Sequence, residues 1–166
     1  MKKIGLLSDT HGIISEQFLN FFADCNEIWH AGDIGSEYVV EKLSAIATFR
    51  AVYGNIDGSE IRSQFKENCR FMCEDVDVWI THIGGYPNKY DRKVATEIKL
   101  NPPKLFISGH SHILKVINDK KLQLLHINPG AAGNSGFHNV KTAVRFVIEK
   151  QTIRDLEILE VPKKND

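Results

Sequence analysis

The sequence predicts an α/β protein in which parallel strands come first and hairpins come last. Three features lead to this fold class. Short apolar runs alternate with amphipathic ones through the first two-thirds of the chain. The last third shows two strand pairs about polar turns. Five of the early apolar runs each end at once in Asp, His or Asn. Alternation of strand and helix implies parallel strands, whereas hairpins imply antiparallel ones. A single mixed sheet, or two sheets packed face to face with helices outside, satisfies both.

Ile4 to Leu7 is a short apolar run bounded by polar residues, as in a buried strand. Phe18, Phe21, Phe22 and Cys25 then fall on one helical face, with Ser15 as N-cap. Ile28 to Ala31 is a second strand. Val39, Leu43 and Ile46 mark a second helix capped by Ser36, and Phe49 to Tyr53 is a third strand. Val78 to Ile80 is a fourth. A helix over Asp91 to Leu100 stops before Pro102 and Pro103, and Leu105 to Ile107 is a fifth strand. Lys115 to Ile127 pairs about Asn118, Asp119 and Lys120. Thr142 to Ile148 pairs with Ile153 to Leu159 about Glu149, Lys150 and Gln151.

A length of 166 residues suits one domain, expected over 1–160, with a polar tail over 161–166. Such a chain buries a core without disulfides. Its 21 Lys and Arg balance 21 Asp and Glu, which removes any bulk electrostatic reason to bind nucleic acid or a membrane. Three cysteines (Cys25, Cys69 and Cys73) form no zinc-hairpin spacing and are expected as incidental buried thiols. The odd count, the immediate strand at the N-terminus and the lack of a long apolar segment lead to the expectation of a cytoplasmic protein.

The residues that carry chemistry gather at the strand ends. Asp9-Thr10-His11 comes after the first strand, Gly32-Asp33 after the second, Gly54-Asn55 after the third, His82 after the fourth and Gly109-His110-Ser111-His112 after the fifth. In an open parallel sheet these ends share one edge, where ligands bind. Glycines 32, 54 and 109 are expected to let the chain turn sharply off each strand. Carboxylate, amide oxygen and imidazole together suit divalent Mn, Fe, Zn, Co or Ni. Alternate residues in D-x-H and H-x-H can face the same way. Asp9, His11, Asp33, Asn55, His110 and His112 exceed the needs of one four-coordinate ion, and His82 makes two ions the economical reading.

The ordered set D-x-H, G-D, G-N, H, G-H-x-H resembles the calcineurin-like metallophosphoesterases. The short chain and Asn128-Pro129-Gly130 resemble the small YfcE-type phosphodiesterases, with the likeness running from Lys3 to about Ile148. The resemblance implies two mixed β-sheets packed as a sandwich with flanking helices. It also implies one metal held by Asp9, His11, Asp33 and His112, and a second held by Asp33, Asn55, His82 and His110, with Asp33 shared. A shared carboxylate offsets repulsion between two cations about 3.5–4 Å apart. Two positions depart from the pattern. Ile56 stands where many members have histidine after G-N, as in the small subgroup, and Ile83 stands where glycine usually succeeds the fourth-strand histidine.

The mechanism expected from this reading is in-line attack on phosphorus by a metal-bridging hydroxide, with two divalent ions, manganese foremost, as cofactors. Asp33, Asn55 and His82 are the expected catalytic positions. His138 is a candidate acid in a loop glycine-rich enough to approach the site. Asp57 is a candidate to hold Asn55 or a ligand histidine. His30 and His126 are expected as hydrogen-bonded core residues. The expected partner is a small phosphate ester, with self-association open. A scaffold role of the retromer-subunit kind is the alternative, and a nuclease is disfavoured by size and charge balance.

Overall fold

The computed structural model describes residues 1–163. In chain order, its first half holds β1 (Lys2–Leu7), α1 (Glu16–Phe21), β2 (Glu27–His30), α2 (Glu37–Ser44), β3 (Thr48–Ala51), α3 (Ser59–Gln64), β4 (Asn68–Cys73) and β5 (Val76–Thr81). Next come a small hairpin of β6 (Gly85–Tyr86) and β7 (Lys89–Tyr90), then α4 (Arg92–Leu100) and β8 (Leu105–Ile107). The chain continues through β9 (Leu114–Asp119), β10 (Leu124–Pro129), β11 (Val140–Glu149) and β12 (Thr152–Pro162).

Two five-stranded sheets result, ordered β12-β11-β1-β2-β3 and β4-β5-β8-β10-β9. Both are mixed. β1, β2 and β3 are parallel, as are β5, β8 and β10, while β11, β12, β4 and β9 pair antiparallel. The five strand ends therefore do not share the edge of one open sheet. Three belong to the first sheet and two to the second, and they meet because the sheets pack face to face with those ends on the same side.

Alternation along the strands explains the layers. Ile4, Leu6, Trp29, Val78, Ile80, Ile107, Val144 and Phe146 point inward and form the core between the sheets. Trp29 packs edge-on against Phe71 and Phe146, with ring centroids 5.1 and 6.0 Å away. The other face of the first sheet carries Leu7 and Ile28, covered by Phe18 and Phe22 from the α1 segment, Val39 and Leu43 of α2 and Ile61 of α3. Gly5 has no space for a side chain, since a Cβ there would lie 2.5 Å from the Phe22 ring. Val94 and Ile98 of α4 cover Trp79, Phe106 and Leu124 on the second sheet. Helix, sheet, sheet and helix stack as four layers.

Several local expectations need correction. Ser15 and Ser36 occupy N-cap positions but neither side chain caps. Ser36 Oγ donates instead to the Gly12 carbonyl. By contrast Asp91 caps α4, accepting from Lys93 N at 2.9 Å. The first helix ends at Phe21, so Phe22 and Cys25 reach the core from a turn. β3 stops at Ala51, short of Tyr53. Residue 161, expected to open the tail, belongs to the fold: Val161 is buried and pairs with Lys141 in the β11–β12 ladder. Residues 164–166 lie outside the described residues. Helix α3 and strand β4 have no periodic signal strong enough to announce them. No helix among the described residues is long and apolar enough to cross a membrane.

At the end of the first sheet opposite the polar cluster, one ionic knot fixes three neighbouring strands. Glu27 is buried, and it accepts from Lys2 Nζ at 2.6 Å, Arg50 Nε at 2.8 Å and Trp29 Nε1 at 3.0 Å. Burial alone would raise its pKa, but the bonds from Arg50, Lys2 and Trp29 outweigh that and pull it down to about 2. Its folded value thus lies below the ordinary 4.5 of an unfolded chain. The contribution to stability is complete above that ordinary value and is lost as pH falls toward the folded one. Urea midpoints measured from pH 6 down to about 2 are expected to fall less steeply for Glu27→Gln than for the parent protein. Parallel curves would show that the knot is not linked to folding.

Candidate metal centre

The side chains singled out at the strand ends converge. Pairing between β1 and β2 continues past both strands: Asp9 N donates to Gly32 O and His11 N to Asp33 O, each at 3.0 Å. Two bonds then tie the sheets together at this edge. His110 N donates to Asp9 Oδ2 at 3.1 Å, and His82 Nδ1 lies 2.8 Å from the Ala31 carbonyl. Residues from four separate segments are thereby held together by bonds that each include a backbone atom.

Two triads result. Asp9, His11 and His112 offer ligand atoms within 4.8 Å of one another, and so do Asp33, His82 and His110. Asp33 lies between them. Its Oδ2 is 3.7 Å from His11 Nε2, and its Oδ1 is 3.3 Å from His82 Nε2. One carboxylate thus directs an oxygen to each triad. Asn55 joins the second, with Oδ1 3.1 Å from His82 Nε2.

The donor set fits cations. A carbonyl only accepts, so His82 must donate its Nδ1 proton to Ala31 O. In the neutral ring this leaves a bare Nε2 facing the oxygens of Asn55 and Asp33. In the first triad, Asp9 Oδ1 and His11 Nε2 are buried with no hydrogen-bond partner. Asp9 Oδ1 lies 3.1 Å from His112 Nε2, but not in hydrogen-bond geometry. Lone pairs aimed at one another across a buried space are costly unless a proton or a metal ion sits among them.

Protons compete with a cation for that place. Burial acts to raise Asp9, but His112, His82 and the Ser8 hydroxyl outweigh it and hold the carboxyl below its ordinary value. Burial likewise acts against the charge on Asp33, while His82 and the Ile56 amide prevail and lower it. Burial would lower His82, but Asp33 and Asp9 raise it, and Asp9 raises His112. A metal ion bound here would have to displace these protons, so its binding would weaken in acid.

The backbone takes on a conformational cost to aim the candidate ligands. Asp9, His11, Asp33, His110 and His112 all have left-handed φ, between 49° and 67°. Asp and His tolerate this region better than most residues, yet each such position costs on the order of 1–3 kcal/mol. Glycine fills the gaps for a different reason than turning alone. Gly32 does turn, with φ of +96°. Gly54 and Gly109 do not adopt left-handed φ; they make room. A Cβ on Gly54 would lie 2.0 Å from Asp33 Oδ1, and one on Gly109 would lie 2.1 Å from Ser8 Oγ.

The supporting residues are only partly those singled out by sequence. Asp57 touches neither Asn55 nor a histidine ring. It is buried and accepts from the backbone N–H groups of Gly54 at 2.8 Å, Gly35 at 2.8 Å and Ile34 at 3.2 Å, which locks the Asp33 and Asn55 loops together. Ser8 Oγ donates to Asp9 Oδ2 at 2.6 Å, which leaves Oδ1 free. Asn128 Nδ2 bonds Gly109 O and Ser111 Oγ, at 2.9 and 3.1 Å, bracing the loop that bears His110 and His112. Sequence reasoning misses Ser8 and Asn128 in this role; a small polar residue beside a ligand, and Asn before Pro-Gly, are the signals available. Ile56 acts through its backbone, whose N–H donates to Asp33 Oδ1 at 3.1 Å.

The remaining histidines divide. His30 is buried and fully bonded: Gly32 N donates to its Nδ1 at 3.1 Å and its Nε2 meets Thr10 Oγ1 at 2.9 Å. Burial pushes it down to about 4, so it is neutral. His126 is also buried and pushed down to about 4, with the Phe106 backbone offsetting part of the shift, but neither ring nitrogen closes a hydrogen bond of normal geometry. The expectation of a bonded core histidine fails there. His138 does reach the site. It lies edge-on to His112 at 5.2 Å, and its Nε2 donates to Gly133 O at 2.9 Å. Gly133 N in turn donates to Asp9 O at 3.0 Å.

Known proteins are similar to this chain in sequence and fold. A probable metallophosphoesterase of Methanothermobacter thermautotrophicus is 29% identical over 138 residues, covering 77% of this chain and 76% of its own. Wild-type Vps29 from Entamoeba histolytica, solved with zinc, superposes with a TM-score of 0.76 at 16% identity, over 98% of this chain and 99% of the other. A structure described as a novel archaeal phosphodiesterase superposes with a TM-score of 0.70 at 22% identity, over 95% and 99%. These two structures share the fold. The calcineurin-like phosphoesterase superfamily domain matches residues 1–151, and the chain belongs to that family.

Proposed function

We propose that the protein hydrolyses a small phosphate ester, a diester by preference, using two divalent metal ions that share Asp33. The observation that supports this most strongly is the Asp33 carboxylate, which turns one oxygen to each of two triads, the first of which keeps Asp9 Oδ1 and His11 Nε2 buried without a hydrogen-bond partner. Asp9, His11, Asp33 and His112 would hold one ion; Asp33, Asn55, His82 and His110 would hold the other. Manganese is the favoured metal, and Ni, Zn, Fe and Co suit the same ligands. Such ions supply Lewis-acid stabilisation of phosphoryl oxygens and activate water near neutral pH.

The chain's own groups do the positioning. The Ala31 carbonyl fixes the His82 tautomer, and the Ile56 N–H fixes the rotamer of Asp33. Asn55 and His82 present their atoms at the mouth of the second triad, beside a cleft lined by Tyr53, Arg62 and Lys93. The cations of that cleft are already engaged: Arg62 donates to the Gly54 and Asp57 carbonyls, and Lys93 pairs with Glu67 at 2.8 Å. His138 fits a bracing role better than that of an acid. Its one proton in the neutral ring goes to Gly133, and its Nδ1 is enclosed. With no side-chain acid at position 56, substrates with good leaving groups should react fastest.

Asp33→Ala is expected to lower metal content below one ion per chain, and to cut hydrolysis of bis(p-nitrophenyl) phosphate by at least about 100-fold. Elemental analysis and rates on the same sample check this. Full content and full rate would exclude the shared-ligand arrangement. Gly54→Ala carries an independent expectation. Its Cβ would displace the Asp33 carboxylate, so metal affinity should fall by about 10–100-fold while the fold persists. An affinity unchanged in that variant would mean that Asp33 is not held as described. If no monoester, diester or cyclic nucleotide is turned over with Mn, Ni, Zn, Fe or Mg, the scaffold reading replaces the hydrolase.

A further inference from the structure

The metal centre opens onto an apolar rim. Ile13, Ile56 and Ile113 are exposed, and each lies one or two positions after a predicted metal ligand: His11, Asn55 and His112. Phe137 adjoins His138 and is 105% exposed, so it packs against nothing in its own chain. Single exposed apolar residues are ordinary, but several around one polar site mark a surface that something covers.

One wall of this rim is a cleft of about 510 Å³. His110 and His112, one from each triad, line it together with Ile113 and Phe137. Among the described residues, its lining includes no Lys, Arg, Asp or Glu. A phosphorus atom held between the two triads would have this cleft directly beside it. Whatever ester group points that way meets Ile113 and Phe137 and no ionic partner.

The Phe137 loop is anchored. His138 Nε2 closes it onto Gly133, and Lys163 Nζ donates to Gly136 O at 2.7 Å. Gly136 is seated on the His112 ring, since a Cβ there would lie 2.4 Å from His112 Nδ1. The aromatic ring is therefore presented from a fixed turn that is also packed on a metal ligand.

We propose that Ile113 and Phe137 are specificity-determining residues, and that the cleft between them and His110 and His112 binds an apolar arm of the phosphate ester, aromatic by preference. This rests on the phosphoesterase reading and narrows it to esters bearing an uncharged, ring-sized group. Polyphosphates and sugar phosphates, whose arms are charged or strongly hydrated, gain nothing from such a wall.

The test uses the manganese-loaded protein with two anions that share a head group, phenylphosphonate and methylphosphonate. Calorimetry reads their binding, and turnover of bis(p-nitrophenyl) phosphate is measured on the same samples. The parent protein is expected to bind phenylphosphonate about 10-fold more tightly than methylphosphonate. Phe137→Ala should reduce that preference to about twofold or less without weakening methylphosphonate, and Phe137→Trp should retain it. Because Phe137 touches nothing in the fold, its loss does not threaten folding. Equal affinity for the two anions in the parent, or a preference unchanged in Phe137→Ala, overturns the proposal and leaves the rim as a surface for a protein partner. If both anions bind but no ester is hydrolysed, the phosphoesterase reading fails and the substrate assignment fails with it. Hydrolysis without arm preference removes the assignment alone.

Discussion

Asp33 is a buried carboxylate that must serve two directions at once. Its oxygens face different triads, and each oxygen needs its own attraction to remain charged away from water. A single imidazolium satisfies one side only. Two cations would satisfy both, and the shared negative charge would in turn keep them from repelling each other. The surroundings answer this need. The Ile56 N–H sets the carboxylate's rotation, Gly54 yields the space it occupies, and Asp57 ties the loop bearing Gly54 to the loop bearing Asp33.

Such a centre could not be built from relaxed strands. Five candidate ligands sit on left-handed backbone at the points where the chain leaves a sheet. The cost is offset by the packing of two sheets around a large apolar core and by the ionic knot at the opposite end of the first sheet. Stability and function are thereby placed at different ends of the same strands. One end holds Glu27, with its charges satisfied and far from the site. The other holds Asp9 Oδ1 and His11 Nε2, which are buried without a hydrogen-bond partner and so are available to a cation.

Much of the candidate site is legible in sequence because its residues come immediately after apolar runs. Asp9, His11, Asp33, His82, His110 and His112 can each be placed at a strand end by the run before it, and the structure brings them together. The two-sheet layout is less legible. A buried strand of either sheet looks alike in sequence, so Val78 to Ile80 cannot be separated from Ile28 to Ala31. Supporting groups are hardest to find, because they act through backbone atoms. Nothing about isoleucine marks position 56 as a donor to Asp33, and Asp57 looks like any turn aspartate until three N–H groups are seen converging on it. His126 misleads for a related reason. Its burial can be inferred from Leu124 to Ile127, but partnership cannot. Gly54 and Gly109 read in sequence as turn residues, whereas the space they leave for carboxylate and hydroxyl groups is a three-dimensional fact.

Whether two ions share one carboxylate can be decided by anomalous scattering from crystals grown with manganese. Two anomalous peaks about 3.5–4 Å apart are expected, one among Asp9, His11 and His112 and the other among Asn55, His82 and His110, with a different oxygen of Asp33 bound to each. A single peak at full occupancy, or two peaks of which only one touches Asp33, would refute the shared site.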